Sequence, residues 1–389
     1  MKILRALKIH DRVLLTLCCI GALAAASTAF VNYAGNRLAD GAPLSVWQAP
    51  SADLGAIISS FAALAGLSFV AQEKLRAYAA LLAAAALFFA CLAGAGAFAH
   101  VLAATAPPAA RISLGAAFWI LGAVALLAML NAMQRGALSL WLRVAAGAAV
   151  ALGFALMARC GVFTSLALTR EFMGRHVEFL QQLARHVGLV GAAAAFALII
   201  SVPLTALALR HAGARGWLFA TLGVVQTIPS IALFGALIAP LSALSARFPA
   251  LRELGVAGVG PTPAIIALTL YSLPPLVRIF VTGFNAVASE VKDAAIGLGF
   301  DRRRLFLSVE LPLALPALIS GLRVVVIQAI GLAAVAASIG AGGLGVFVFQ
   351  GIGQYALDLV LLGAIPIILL ALAADLIFQM LLAAARRRA

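Results

Sequence analysis

NAVASEVKDAAIGLGFDRRRLFLSVELPLALP, Asn285 to Pro316, lies between two long apolar runs and is too polar to cross a bilayer. It is also too patterned for a plain tether. Asp293 stands near the start of a short run, where a carboxylate suits a helix N-terminus. Ala294 and Ala295 follow as small helix formers. Gly297 and Gly299 permit a turn with positive φ or a close backbone approach, and Pro312 and Pro316 reopen the chain toward the next apolar run. The pattern predicts a small helix with a smooth face, held beside a membrane as a docking knob.

The rest of the chain supplies the membrane. Of 389 residues, 65% are hydrophobic and 10% are charged, whereas a soluble chain covers its surface with about 25% charged residues. Ten apolar runs are long enough to cross hydrocarbon, at about 13–31, 52–70, 77–100, 113–133, 143–159, 187–209, 217–240, 263–284, 317–337 and 359–382. The expectation is an all-α polytopic membrane protein of about ten transmembrane helices. The first run follows a basic start and resembles a signal peptide, but its length favours an uncleaved helix. Lys and Arg in the termini and alternate loops outnumber those in the opposite loops by about 17 to 8, which places both termini in the cytoplasm.

The net charge of +14 does not point to nucleic acid, because the basic residues form short clusters between apolar runs rather than one polar face. The four cysteines show no CxxC and the histidines no paired ligand spacing, so neither a disulfide nor a metal is assigned. No nucleophile triad, acid pair or GxxxxGK[ST] loop occurs, so the sequence offers neither an enzyme's site nor an ATP site of its own.

Residues 161–186 read as an extracytoplasmic connector. Within it Phe172, Met173, Leu180 and Leu183 recur near helical spacing between charges, as in an amphipathic helix lying in the interface. Before it, residues 1–160 carry five Ala- and Leu-rich runs without an evident motif. After it, Pro, Gly and polar residues gather at SVP (201–203), QTIPS (226–230) and YSLPP (271–275). Proline in a membrane helix frees a carbonyl, which is tolerated where neighbours or a water-lined cavity satisfy it. Residues 187–382 therefore read as the working half, followed by a basic cytoplasmic tail at 383–389.

The 285–316 loop resembles the EAA signature of ABC importer permeases: Asp293, Ala294 and Ala295, then Gly299, then Val309, Glu310, Leu311 and Pro312. Asp stands for Glu and Val for Ile, and both changes keep charge or shape. HVGLVGAAAAFALIISVPLTAL, GVVQTIPSIALFGALI, ALTLYSLPPLVRIFVTGF and IGAGGLG are similar to segments of the osmoprotectant branch. The resemblance implies a type I, MetI-like permease core. It implies that Asp293, Ala294, Ala295, Gly297, Gly299, Val309, Leu311 and Pro312 dock a partner ATPase, which binds ATP and Mg²⁺. It also implies an extracytoplasmic solute-binding protein, a second permease chain, a bacterial inner-membrane location, and import of glycine betaine, choline or a similar quaternary amine. The alternatives are another small solute such as an amino acid, or an ion-driven secondary transporter, which the scarcity of mid-depth acids disfavours.

Gly340, Gly342 and Gly345 have the GxGxxG spacing of a dinucleotide loop, but an apolar helical run precedes them instead of a strand, and no acid lies about 20 residues on. One span beyond the knob, they and Gly343 are expected beside an external gate, with a plain tight turn as the alternative. Gln226, Pro229 and Ser230 suit a pore lining or a simple kink. Tyr271, near Pro274, is weighed as a cation–π partner for a quaternary ammonium. Asp375 is expected near the inner end of the last span, and Arg278 and Arg323 at the inner ends of two others, snorkelling to headgroups or touching the knob.

Overall fold

Ala- and Leu-rich tracts without proline form uninterrupted helices, because in hydrocarbon every backbone N–H and C=O must be satisfied within its own segment. The computed structural model describes residues 8–36, 39, 41–253 and 255–386, apart from the side chain of Leu140. Lys2, Arg5, Arg37, Arg387 and Arg388, counted in the charge bias, lie outside the described residues. The chain divides into two compact units, Met1–Gly174 and Arg175–Ala389.

The first unit contains α1 (Arg12–Ser27), α2 (Ser51–Leu67), α3 (Glu73–Thr105), α4 (Ala116–Arg135), α5 (Leu140–Arg159) and the short α6 (Ala167–Gly174). Leu14, Phe30, Leu64, Leu87 and Leu121 are buried together in its core. The helices are joined here by one small sheet that the apolar runs did not announce. β1 (Val31–Ala34) pairs antiparallel with both β2 (Ala42–Leu44) and β3 (Arg111–Leu114), and Val31 stands opposite Leu44 and Leu114. Val31, Tyr33 and Ile112 suit extended backbone, and the ladder satisfies connector backbone that no helix can. Asp11 caps α1 by accepting from Leu14 N at 3.0 Å, and its buried carboxylate also takes Asn131 Nδ2 and Arg135 Nε, each at 3.0 Å.

The second unit contains α7 (His176–Arg210), α8 (Ala212–Thr227), α9 (Ser230–Arg247), α10 (Pro249–Glu253), α11 (Pro261–Asn285), α12 (Ser289–Gly297), α13 (Arg302–Leu305), α14 (Leu311–Ala333), α15 (Gly345–Gly353) and α16 (Leu357–Arg386). The hub is α11, which packs against α7, α8, α9 and α14. Small residues set its approach to α14: a Cβ on Gly283 would stand 2.6 Å from that of Ala317, and one on Gly321 would meet Ile279 at 3.1 Å.

Eight described helices are long and apolar enough to cross a bilayer: α3, α4, α5, α7, α9, α11, the run Arg302–Ala333 and α16. The count of ten is not matched helix for helix. α1 and α2 have 16 and 17 residues, short of the roughly 20 that span about 30 Å. The run expected over 217–240 is two helices, α8 and α9, parted at Ile228 and Pro229. Two others start early. α7 begins at His176, so much of the supposed connector is continuous with a span. The helix after the knob begins at Arg302 rather than near residue 317.

Candidate coupling segment and translocation path

The knob is α12. It starts at Ser289 with Glu290 in its first turn, so Asp293 sits in the middle of the helix and not at its N-terminus as expected. Asp293, Ala294, Val291, Ile296 and Leu298 are exposed, Leu298 to 79%, while Ala295 is turned inward and buried. The result is a largely apolar knob carrying two exposed carboxylates, Glu290 and Asp293. Gly299 ends it with φ +83°. Gly299 N donates to Ile296 O at 2.9 Å and Phe300 N to Ala295 O at 3.1 Å, the paired bonds of a Schellman cap, which places a left-handed residue where Gly299 stands. Gly297 lies within the helix with open space around it.

Val309, Leu311 and Pro312 are not in a loop. Asp301 caps a new helical run by accepting from Arg304 N at 2.8 Å, and that run continues from Arg302 to Ala333 through a π turn at Phe306–Glu310. Pro312 has no N–H and crowds the carbonyl four residues back, so the turn widens and closes from Leu311 N to Phe306 O instead. One contact fastens the knob to the helical run that follows it, and two more tie the neighbouring segments together. Lys292 Nζ lies 3.2 Å from Glu310 Oε1, the Arg304 guanidinium sits 4.6 Å over the Phe300 ring, and Phe284 stacks on Phe306 with centroids 5.8 Å apart. A push on α12 therefore reaches the run into α14 through Lys292 and Glu310, and that run in turn touches α11 through Phe306 and Phe284.

Gln226, Pro229 and Ser230 surround the break between α8 and α9, with Gln226 and Pro229 exposed. The break frees the Ile228 carbonyl, and the hydroxyl of buried Tyr271 donates to it. Tyr271, only 6% exposed, thus pins α11 to the break. Pro274 is buried inside α11, which continues through it.

After α14, Gly340, Gly342 and Gly343 take φ of +75°, +79° and +87°. This loop lies on the first turns of α7. Gln182 Oε1 accepts from Gly343 N at 2.7 Å, and Cβ atoms on Gly342 and Gly343 would meet Arg185 Cδ at 2.7 Å and His186 Nδ1 at 3.1 Å. His186 is buried with Nε2 3.1 Å from Ile330 O. A Cβ on Gly345 would run into the Ala334 carbonyl. Sequence reasoning passes over Gln182 and His186. Their spacing of four on one helix face is the available signal.

Residues 201–387 match the family described as binding-protein-dependent transport system inner membrane component, and residues 11–169 match the N-terminal domain of the ABC transporter permease YehY. The osmoprotectant import permease protein OsmW of Salmonella typhimurium is 36% identical over 208 residues, covering 53% of this chain and 92% of OsmW. The chain belongs to the ABC importer permease family. The glycine betaine/carnitine/choline transport system permease protein OpuCD of Bacillus subtilis is 34% identical over 199 residues, 51% of this permease and 80% of OpuCD. Among solved structures, a chain of the inward-facing MetNI methionine ABC transporter shares 20% identity at a TM-score of 0.46, covering 53% of this chain and 95% of that one.

As a member of that family the permease is a multi-pass inner-membrane protein, and ATP hydrolysis belongs to a separate subunit. One feature departs from the expected placement of charges. Arg323 is not at the end of a span. It lies within α14 between Leu311 and Ala333, about 18 Å from one and about 15 Å from the other at 1.5 Å per residue. Asp375 is likewise about 16 Å along α16 from Arg386. Arg323 Nε and Asp375 Oδ1 are 2.6 Å apart, and Gln379 Nε2 donates to Asp375 Oδ2 at 2.6 Å. Arg278 lies over the Phe219 ring of α8 at 5.8 Å, with Arg215 over the same ring at 5.7 Å.

Proposed function

We propose that this permease moves a small quaternary amine osmoprotectant, such as glycine betaine, choline or carnitine, driven by an ABC ATPase that docks on α12. One observation carries the docking: an exposed knob of Val291, Ile296 and Leu298 around Asp293 and Ala294, capped by Gly299 and tied by Lys292 to Glu310 at the start of α14. The solute class is supported by the names of the relatives, OsmW and OpuCD among them. ATP and Mg²⁺ bind the ATPase, and no cofactor is assigned to this chain. An extracytoplasmic binding protein delivers the solute, a second permease chain completes the path, lipid surrounds the pair, and nucleic acid has no part. The Lys and Arg bias of the sequence supports a cytoplasmic side for both termini and for α12.

In this mechanism ATP closes the ATPase on α12, and the Lys292–Glu310 and Phe284–Phe306 contacts pass the movement to α14 and α11. The continuous helix Arg302–Ala333 delivers it to the loop Gly340–Gly345, which adjusts as the outer gate. The path runs past the break at Gln226, Pro229 and Ser230, with Tyr271 and Pro274 behind it. The test is co-purification of ATPase subunits from the same cell with wild type, Gly299→Glu and Ala295→Arg, together with uptake of labelled glycine betaine. The expected result is an ATPase held by wild type, lost by both variants, and uptake that follows. An ATPase held equally by all three contradicts the docking surface, and normal docking without quaternary amine uptake contradicts the solute class.

A further inference from the structure

The ion pair between α14 and α16, more than two turns from the end of either helix, is complete on the acid side and open on the basic side. Both oxygens of Asp375 are engaged, one by Arg323 Nε and one by Gln379 Nε2. Arg323 is different. Among the described residues, no hydrogen-bond or ion-pair partner reaches its Nη1 or Nη2, and its side chain is 34% exposed. A guanidinium at this depth cannot turn free donors toward hydrocarbon, where polar groups have no water to satisfy them. Something polar must stand against it.

The location narrows the choice. Val326, one turn on from Arg323, and Ala371 and Ala374, beside Asp375, pack in the apolar cluster that also contains Ile228 and Tyr271. Neighbours of the ion pair on both helices thus share one apolar cluster with the α8–α9 break, where backbone polarity also interrupts the helices. A planar fork with two free amino groups matches a carboxylate in bidentate geometry. Asp375 cancels the arginine's charge, so a solute bearing both a carboxylate and a quaternary ammonium meets a neutral site that does not repel its cationic end.

We propose that Arg323 is a solute-binding residue of the translocation path: its Nη1 and Nη2 receive the carboxylate of a zwitterionic quaternary amine, while Asp375 and Gln379 hold the guanidinium in place. This assignment rests on the function proposed above and makes it more specific. Choline supplies the control, since it has the same ammonium head with a hydroxyl in place of the carboxylate.

The test measures uptake of labelled glycine betaine and of labelled choline by the complete importer, comparing wild type with Arg323→Gln and Arg323→Lys at equal permease level in the membrane. Arg323→Gln is expected to lower glycine betaine uptake about tenfold while leaving choline uptake within about twofold, the loss of one charge-assisted bidentate contact. Arg323→Lys keeps the charge without the fork and is expected to fall between for glycine betaine. If Arg323→Gln does not accumulate, the ratio for Arg323→Lys decides. Equal loss of both solutes, or loss of neither, overturns the assignment and leaves a guanidinium covered by a second permease chain. A wild type that moves choline but no carboxylate-bearing solute overturns it too. A wild type that moves no quaternary amine removes the solute class itself, an outcome distinct from an unchanged ratio.

Discussion

In the first unit every proline lies outside the helices: Pro43 in β2, Pro50 capping α2, and Pro107 and Pro108 between α3 and β3. Pro203, Pro240, Pro274, Pro275, Pro316 and Pro366 of the second unit all lie inside helices. Charge follows the same division. Asp11, Arg76 and Arg135 of the first unit gather where α1 and α3 begin and α4 ends, while Arg323 and Asp375 of the second meet inside α14 and α16. A helix without proline or interior charge is a stiff rod suited to hydrocarbon. One that opens its backbone ladder or carries a charge at depth needs a neighbour, water or solute to complete it. The first unit is built to stay as it is, and the second to change its contacts.

The sharpest way to break that contrast is to remove one carboxylate from each unit. Asp375→Leu leaves Arg323 unpaired within the bundle, and removing one partner of a buried pair costs about 3–5 kcal/mol, with the low end apt for a site a quarter exposed. Both thermal stability and uptake per folded molecule are expected to fall. Asp11→Asn disturbs a carboxylate that is only 2% exposed, and is expected to lower the melting temperature while leaving uptake per folded molecule unchanged. Thermal unfolding of each purified variant alongside uptake decides. Equal loss of uptake in both erases the distinction between the units.

Tyr271→Phe tests a smaller effect. It strips the donor from the Ile228 carbonyl at the helix break, and an unsatisfied buried acceptor costs about 1–3 kcal/mol. Tyr33→Phe, on β1 of the first unit, is the control expected to change nothing. Next comes Gly299→Ala, which forces a side chain into a left-handed position at about 1–2 kcal/mol and is expected to reduce ATPase co-purification. Gly297→Ala, in open space within the same helix, is expected to stabilise by about 0.5–1 kcal/mol and keep the ATPase. Co-purification lost equally in both would mean that any change to α12 disrupts docking, and that the Gly299 cap has no special part.

How far this was legible in the sequence depended on the range of the contacts. Apolar runs and the short pattern from Asp293 to Pro312 are local, so the polytopic helical class and the knob could both be read directly. The three strands could not: each has three or four residues, too few for a period, and β3 pairs across the whole of α2 and α3. The break at Pro229 was visible as a proline, but nothing local tells that Tyr271 would satisfy the freed carbonyl. Asp375 and Arg323 were noticed singly and placed at helix ends, because span limits were drawn from hydropathy alone. Once α14 is seen to start at Leu311, as part of a run from Arg302, the pair moves away from the helix ends into the helix interiors. The helical run before the glycine loop was legible, yet the loop's partners Gln182 and His186 belonged to a stretch that read as a separate connector.

The smallest effect on stability tests the largest claim about coupling. Lys292 and Glu310 are both partly exposed, and such a pair contributes about 0.2–1 kcal/mol, less in high salt. Lys292→Met is therefore expected to leave the melting temperature almost unchanged. If the pair carries movement from α12 to α14, solute moved per ATP hydrolysed is nevertheless expected to fall, and the exchange Lys292→Glu with Glu310→Lys to restore it. The Arg111–Glu171 pair of the first unit, 2.8 Å long and more buried on its acid side, provides the opposite case. Arg111→Met is expected to cost more stability and to leave the transport ratio intact. A ratio that falls with Arg111→Met and not with Lys292→Met would place the coupling in the first unit, because a force-bearing contact is identified by the output it controls and not by its own strength.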